Sequence, residues 1–125
     1  SKEAQTKRII AAIENPYSKI LGHPSGRLIN KRGPMDMDMS KIIDACKANN
    51  VAIEINSNPL RLDLIDVYAR MAKDKGVKIA INSDGHDANQ YKLLKYGIFV
   101  ARRGWLTAKD VINTLDAEHL SKIWE

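Results

Sequence analysis

Val77-Lys78-Ile79-Ala80-Ile81-Asn82-Ser83-Asp84-Gly85-His86 is the stretch on which the reading of this chain turns. Its first half is apolar and β-branched, the composition of a buried strand. Its second half is polar and sets an aspartate and a histidine two residues apart. Residues i and i+2 of a strand face the same side, so the two side chains are able to close on one point. At the C-terminal end of a parallel strand, α/β folds gather their ligands and catalytic groups. A carboxylate oxygen beside an imidazole nitrogen suits a divalent transition metal. Asp, Gly and His also suit a plain polar turn, and the spacing alone leaves both readings open.

Working outward, helix and strand patterns alternate. Glu3 to Glu14 reads as a helix, with Ile9, Ile10 and Ile13 at helical spacing and Asn15-Pro16 ending it. A short strand, Ser18 to Gly22, runs into His23-Pro24-Ser25-Gly26-Arg27. A second helix is expected over Asp36 to Asn50, a strand over Val51 to Ile55, and a third helix over Leu64 to Lys75, closed by Gly76. After the Val77–Ile81 strand come a short helix around Ala88 to Lys95 and a last strand over Ile98 to Ala101. Thr107 then caps a helix through Asn113, and Asp116 starts a terminal one. Strand-helix repetition of this kind predicts a parallel sheet with helices packed on it. About four strands are expected, whereas a closed (β/α) barrel takes roughly 250 residues. The pattern therefore fits a small open α/β domain or about half a barrel, and the second is favoured. Because the chain starts inside helical sequence, an engineered boundary or a proteolytic cut is expected there.

Composition narrows the class. The 125 residues fit one domain, 44% are hydrophobic and 28% charged, and the net charge is +5. A basic balance favours acidic partners, nucleic acid first, although the twenty Lys and Arg residues are scattered. The single cysteine, Cys46, excludes an internal disulfide and multi-cysteine zinc sites, and its place in a helix pattern reads as core. No stretch has the length of a membrane span or the look of a signal segment, so no membrane partner and a cytoplasmic location are expected.

Three strand ends carry polar clusters: Gly22-His23-Pro24, Glu54-Ile55-Asn56-Ser57-Asn58-Pro59 and Asn82-Ser83-Asp84-Gly85-His86. In a parallel sheet all three fall on one edge. Two of the chain's three histidines, His23 and His86, lie there with Asp84. Arg27 and Arg61 follow two of these strand ends, and Arg102 and Arg103 follow the expected last strand. Guanidinium groups match phosphate oxygens bidentately, so a metal edge ringed with arginine points to a phosphoester. Each arginine also fits a surface ion pair, with Asp63 and Asp66 as available partners. His119 reads as a surface residue, and Trp105 and Trp124 as packing anchors or base-stacking groups. Met35, Met37 and Met39 suggest no function.

Leu21-Gly22-His23-Pro24-Ser25-Gly26-Arg27, Glu54 through Leu64, Asn82 through His86 and Ala101-Arg102-Arg103-Gly104-Trp105-Leu106 closely resemble the PHP domain, in the version found at the C-terminus of bacterial and archaeal family X DNA polymerases. The resemblance covers essentially the whole chain, 1–125, in order and spacing. It implies α/β architecture: the C-terminal portion of a distorted (β/α)7 barrel, mostly parallel strands with flanking helices. It also implies a divalent metal cluster, manganese or zinc, at the strand C-termini, and a 3′-5′ exonuclease or phosphoesterase activity serving DNA repair. By the same resemblance His23, Asp84 and His86 match metal ligands. Asp84 and His86 are the expected catalytic pair, and Arg27, Arg61, Asn56 and Arg103 are expected substrate contacts. The role of Glu54 stays open.

The family's opening His-x-His motif, its acidic bridging ligand and two further histidines have no counterpart in the chain. An incomplete metal cluster and negligible catalysis by this chain alone are therefore expected. The implied partners are DNA, the N-terminal part of the barrel and a polymerase core. Open sheet edges further suggest self-association. Two alternatives remain: a stand-alone PHP phosphatase acting on a small phosphate monoester, and a DNA-binding or interaction module without catalysis.

Overall fold

The Val77–His86 stretch forms one edge of a three-stranded parallel sheet. The computed structural model describes residues 1–125. Helix α1 (Lys2–Ile13) precedes strand β1 (Ile20–Leu21), α2 (Met39–Asn49), β2 (Ala52–Asn56), α3 (Asp66–Asp74) and β3 (Ile79–Asn82). A 3-10 segment (Ala88–Leu93) then leads into α4 (Leu94–Arg103), two further 3-10 turns (Ala108–Asp110, Ile112–Thr114) and α5 (Ala117–Lys122). The strand order is β1-β2-β3, with Leu21 opposite Ile53 and Glu54 opposite Ala80.

The two sheet faces differ in chemistry. Ile53, Ile55, Ile79 and Ile81 point into the main core, where they meet Ile13 of α1, Ile42, Ile43 and Cys46 of α2, Ala69 and Ala72 of α3, and Ala101 of α4. The alternate residues, Ala52, Glu54, Asn56, Ala80 and Asn82, form the other face by strand alternation. Small side chains line its N-terminal half, where Ala52 and Ala80 are covered by Ile112, Leu120, Ile123 and Trp124. Polar side chains line its C-terminal half. Four helices thus pack on the first face, while α5 and the residues after it cover only the N-terminal half of the other.

Capping follows the sequence closely. Ser1 caps α1, Asp38 caps α2 and Asp116 caps α5, each accepting from a backbone N–H of the first turn. Asn50 ends α2 in the left-handed conformation, and Gly76, at φ 76, follows α3. Cys46 is fully buried, and that burial pushes its thiol up to about 12, so it is an inert core residue. Met37 and Met39 pack in the same core and Met35 lies against it, which accounts for all three methionines. No helix is long and apolar enough to cross a membrane.

Four expectations are corrected. Ile98–Ala101 is not a strand but part of α4, so the sheet has three strands rather than about four. A four-residue apolar run suits either element. Here Gly97 and Ala101, four apart and both buried, let the helix close on the sheet. A Cβ at Gly97 would lie 2.0 Å from Ser57 Oγ and 2.8 Å from Ile81 Cγ2. The segment after Thr107 forms two 3-10 turns in place of one helix through Asn113, with a capping box between Thr107 and Asp110. Finally, the β3 edge is not open. Asn113 donates through Nδ2 to Ile81 O (2.9 Å) and accepts at Oδ1 from Ile81 N (2.8 Å), while Val111 bridges Ile79. One side-chain amide thus stands in for a neighbouring strand and covers one of the two sheet edges on which self-association was expected.

Candidate functional site

All three strands run the same way, so Gly22-His23, Ser57-Asn58 and Ser83-Asp84 emerge on one rim. Behind them two carboxylates are buried, Glu54 at 9% and Asp63 at 1% exposure. Glu54 accepts from His23 N through Oε2 (2.7 Å) and from Asn82 Nδ2 through Oε1 (3.0 Å), so it joins the ends of β1 and β3 across β2. Asp63 accepts from Ser25 N (3.0 and 3.1 Å) and Gly26 N (2.9 Å), which moulds the His-Pro-Ser-Gly turn. Its own backbone pairs with Asn56, folding the 57–63 loop back along β2.

His23 is exposed at φ 22 and Asp84 half-buried at φ 53; both lie in the left-handed region that non-glycine residues enter at a cost. His86 is exposed, and its ring nitrogen Nδ1 lies 2.8 Å from Asp84 O. A carbonyl only accepts, so Nδ1 donates there. A ring held this way leaves Nε2 as the nitrogen available to a metal. The His86 N–H is held by Gln90 Oε1 (2.8 Å).

The arginines divide by partner. Arg27 donates through Nε to Arg61 O (2.6 Å) and through Nη2 to Leu62 O (2.5 Å), stapling the first rim loop to the second. Arg61 returns a bond from Nη1 to Arg27 O (3.4 Å), and its Nε lies 3.9 Å from Asp84 Oδ2. Arg61 therefore stands between the His23 loop and the Asp84 loop. Arg103 pairs with Asp66 (3.0 Å), the surface ion-pair alternative noted above. Asn56 is 1% exposed and holds Asn58 N through Oδ1, while its Nδ2 has no partner. His119 pairs with Asp116 on the surface, and Trp124 packs under the sheet. Trp105 is exposed, with Arg70 stacked 4.2 Å from its ring centre.

A hollow of about 420 Å³ opens beside His23 and is shared with Leu21, Arg32, Met35 and Arg61. The donor types on the rim, one carboxylate and two imidazoles, fit a divalent ion of borderline character. The chain does not gather them: no group of three or more His, Cys, Asp or Glu side chains converges, and the hollow beside His23 is lined by neither Asp84 nor His86. Sequence reasoning left Glu54 without a role and read Asp63 as a salt-bridge partner. The signal available for both was a carboxylate inside an otherwise apolar strand or turn, which demands buried donors.

No family model matches the chain. It is 37% identical over 107 residues to the DNA polymerase/3′-5′ exonuclease PolX of Bacillus subtilis (strain 168), covering 86% of this chain and 19% of that protein. It is 32% identical over 118 residues to a protein of Thermoanaerobacter sp. (strain X514) named "Probable phosphatase", covering 90% of this chain and 46% of that one. A "Probable phosphatase" of Clostridium acetobutylicum is 34% identical over 90 residues, 67% of this chain and 34% of that protein. The chain thus spans about a fifth to a half of the length of these relatives. The rim motifs and these relatives agree: the chain is similar to the C-terminal part of the PHP domain of a family X DNA polymerase.

Proposed function

We propose that this chain is the C-terminal sector of a distorted (β/α)7 PHP barrel and lends His23, Asp84 and His86 to a divalent-metal phosphoesterase centre. In this reading the whole protein is a family X DNA polymerase whose PHP domain acts as a 3′-5′ exonuclease in DNA repair. The observation that carries it is the pairing of two features. Four helices pack on one sheet face, as in a sector of a (β/α) barrel. The other face turns polar where the three rim loops meet.

His86 would bind through Nε2, His23 through its exposed ring and Asp84 through its half-buried carboxylate, with further donors supplied from outside the chain. A manganese or zinc ion held there would supply Lewis-acid polarisation of a phosphoryl oxygen and activation of a water. Arg61, beside Asp84, presents a cation to the phosphate, and the net charge of +5 favours a DNA backbone. Arg27, bonded to carbonyls, acts by holding the His23 loop, and buried Asn56 by shaping the loop that carries Arg61.

The test is Asp84→Asn in the full-length protein, since Asn tolerates the same left-handed backbone. Manganese-dependent release of nucleotides from a DNA 3′ end should fall by at least about a hundredfold, with polymerisation unchanged. Exonuclease retained at the parent rate would overturn the assignment. By itself the 125-residue chain is expected to turn over neither substrate.

A second reading, a stand-alone phosphatase for a small phosphate monoester, is favoured by the relatives named probable phosphatases. The two separate on substrate: the first predicts turnover of oligonucleotides over p-nitrophenyl phosphate, the second the reverse.

A further inference from the structure

Glu54 lies beneath the rim and bonds the His23 loop and the end of β3, and no part of the proposed chemistry has yet used it. Its carboxylate is almost fully withdrawn from water at 9% exposure. None of the chain's ion pairs includes it. Buried carboxylates are ordinarily matched by a cation or a metal, yet Glu54 meets only two neutral donors, His23 N at 2.7 Å and Asn82 Nδ2 at 3.0 Å. The bond to His23 is short and charge-assisted, the strong kind. It grips the backbone of a residue held at φ 22, a conformation that needs an external hold. The bond to Asn82 fixes the strand end two residues before Asp84.

We infer that Glu54 is the positioning residue of the rim. It sets His23 through that residue's backbone N–H and spaces it from the Asp84 loop through Asn82. Its carboxylate, which has no ion-pair partner, also lies beside the backbone of a residue whose ring would hold the cation. This rests on the proposed metal centre. Supporting groups of this kind change metal affinity by about 10–100-fold when altered.

Substitution separates geometry from charge. In Glu54→Gln, Oε1 still accepts from His23 N, and Nε2 donates to Asn82 Oδ1 once that amide turns over, so both bonds persist and only the charge is lost. Glu54→Ala loses bonds and charge together. In the double variant Glu54→Gln/Asn82→Asp both bonds persist and the charge returns on the neighbouring strand.

The experiment titrates Mn2+ alone into the full-length protein, following free Mn2+ by electron paramagnetic resonance and the His23 amide proton by NMR in a selectively labelled sample. Dissociation constants should rise about tenfold in Glu54→Gln and about a hundredfold in Glu54→Ala, and return to within about threefold of the parent in the double variant. The His23 amide proton should lie far downfield in the parent and move upfield in Glu54→Ala. A merely structural role would give no rescue of affinity by the relocated charge. If Glu54→Ala fails to fold, Glu54→Gln and the double variant still decide. Parent-like Mn2+ affinity in Glu54→Gln, with affinity lost in His23→Ala and Asp84→Asn, would overturn the role of Glu54 and spare the metal centre. Parent-like affinity in those two variants as well would overturn both.

Discussion

The rim has two halves built in opposite ways. The His23 loop and the 57–63 loop are cross-stapled: Asp63 holds Ser25 and Gly26, Glu54 holds His23, and Arg27 and Arg61 exchange bonds across the gap. The Asp84–His86 loop is tied almost entirely to itself, through Ser83 Oγ to Gly85 N (3.2 Å), Asp84 O to His86 Nδ1 and Gln90 Oε1 to His86 N. Its contact with the other half is Arg61 at 3.9 Å. The difference shows where the chain invests its order. One half is preorganised by buried carboxylates. The other is held by bonds within its own loop.

The largest expected effect breaks this contrast if it is wrong. Asp63→Ala strips a buried acceptor from the N–H groups of Ser25 and Gly26 and should cost about 3 kcal/mol of stability in urea unfolding. Asp84→Asn, in the self-contained loop, should change stability by no more than about 0.5 kcal/mol. Equal costs would erase the distinction.

Next comes the base of the stapled half. Gly97→Ala forces a methyl onto Ser57 Oγ and Ile81 Cγ2 and should cost about 1–3 kcal/mol by the same measurement. Arg27→Lys keeps the charge and loses one of two carbonyl bonds. It should cost about 1 kcal/mol, with faster hydrogen exchange at Gly26 and none of that change at Gly85.

The smallest effect lies below the sheet, away from the rim. Burial pushes the Asp110 carboxyl up, but the hydrogen bonds from Lys73 and Thr107 outweigh it and hold the group below its ordinary value of 3.8. A lowered folded-state pKa means stability that is fully present above that ordinary value and lost as pH falls through the depressed one. Asp110→Asn should therefore flatten the acid limb of a stability–pH curve below about pH 4, leaving the neutral region nearly parallel to the parent. An unchanged acid limb would assign that loss elsewhere.

Much of this was legible in the sequence, for identifiable reasons. The strand ends expected at Gly22, Ile55 and Ile81 fall within one residue of the observed Leu21, Asn56 and Asn82, because apolar runs stop at polar turns. Parallel pairing placed the His23 loop and the Asp84–His86 loop on one edge, but it did not bring the three side chains together into one group. Ile98–Ala101 misled because its four apolar residues carry no period; the informative residues were Gly97 and Ala101, whose smallness lets a helix approach. Asn113 was invisible, since nothing in sequence marks an amide that will mimic a strand. The arginines were half-legible. Position gave their loops, but whether Arg27 met a phosphate or a carbonyl depended on how closely the loops approach.

The account rests on His23 and Asp84 serving one ion although they sit on differently built loops. A double-mutant cycle on Mn2+ affinity in the full-length protein, with His23→Ala, Asp84→Asn and the pair, tests this most directly. The account predicts strong non-additivity, a coupling of at least about 1 kcal/mol, because loss of either ligand disables the shared site. Losses that add within about 0.3–0.5 kcal/mol would place the two residues at independent sites and contradict it.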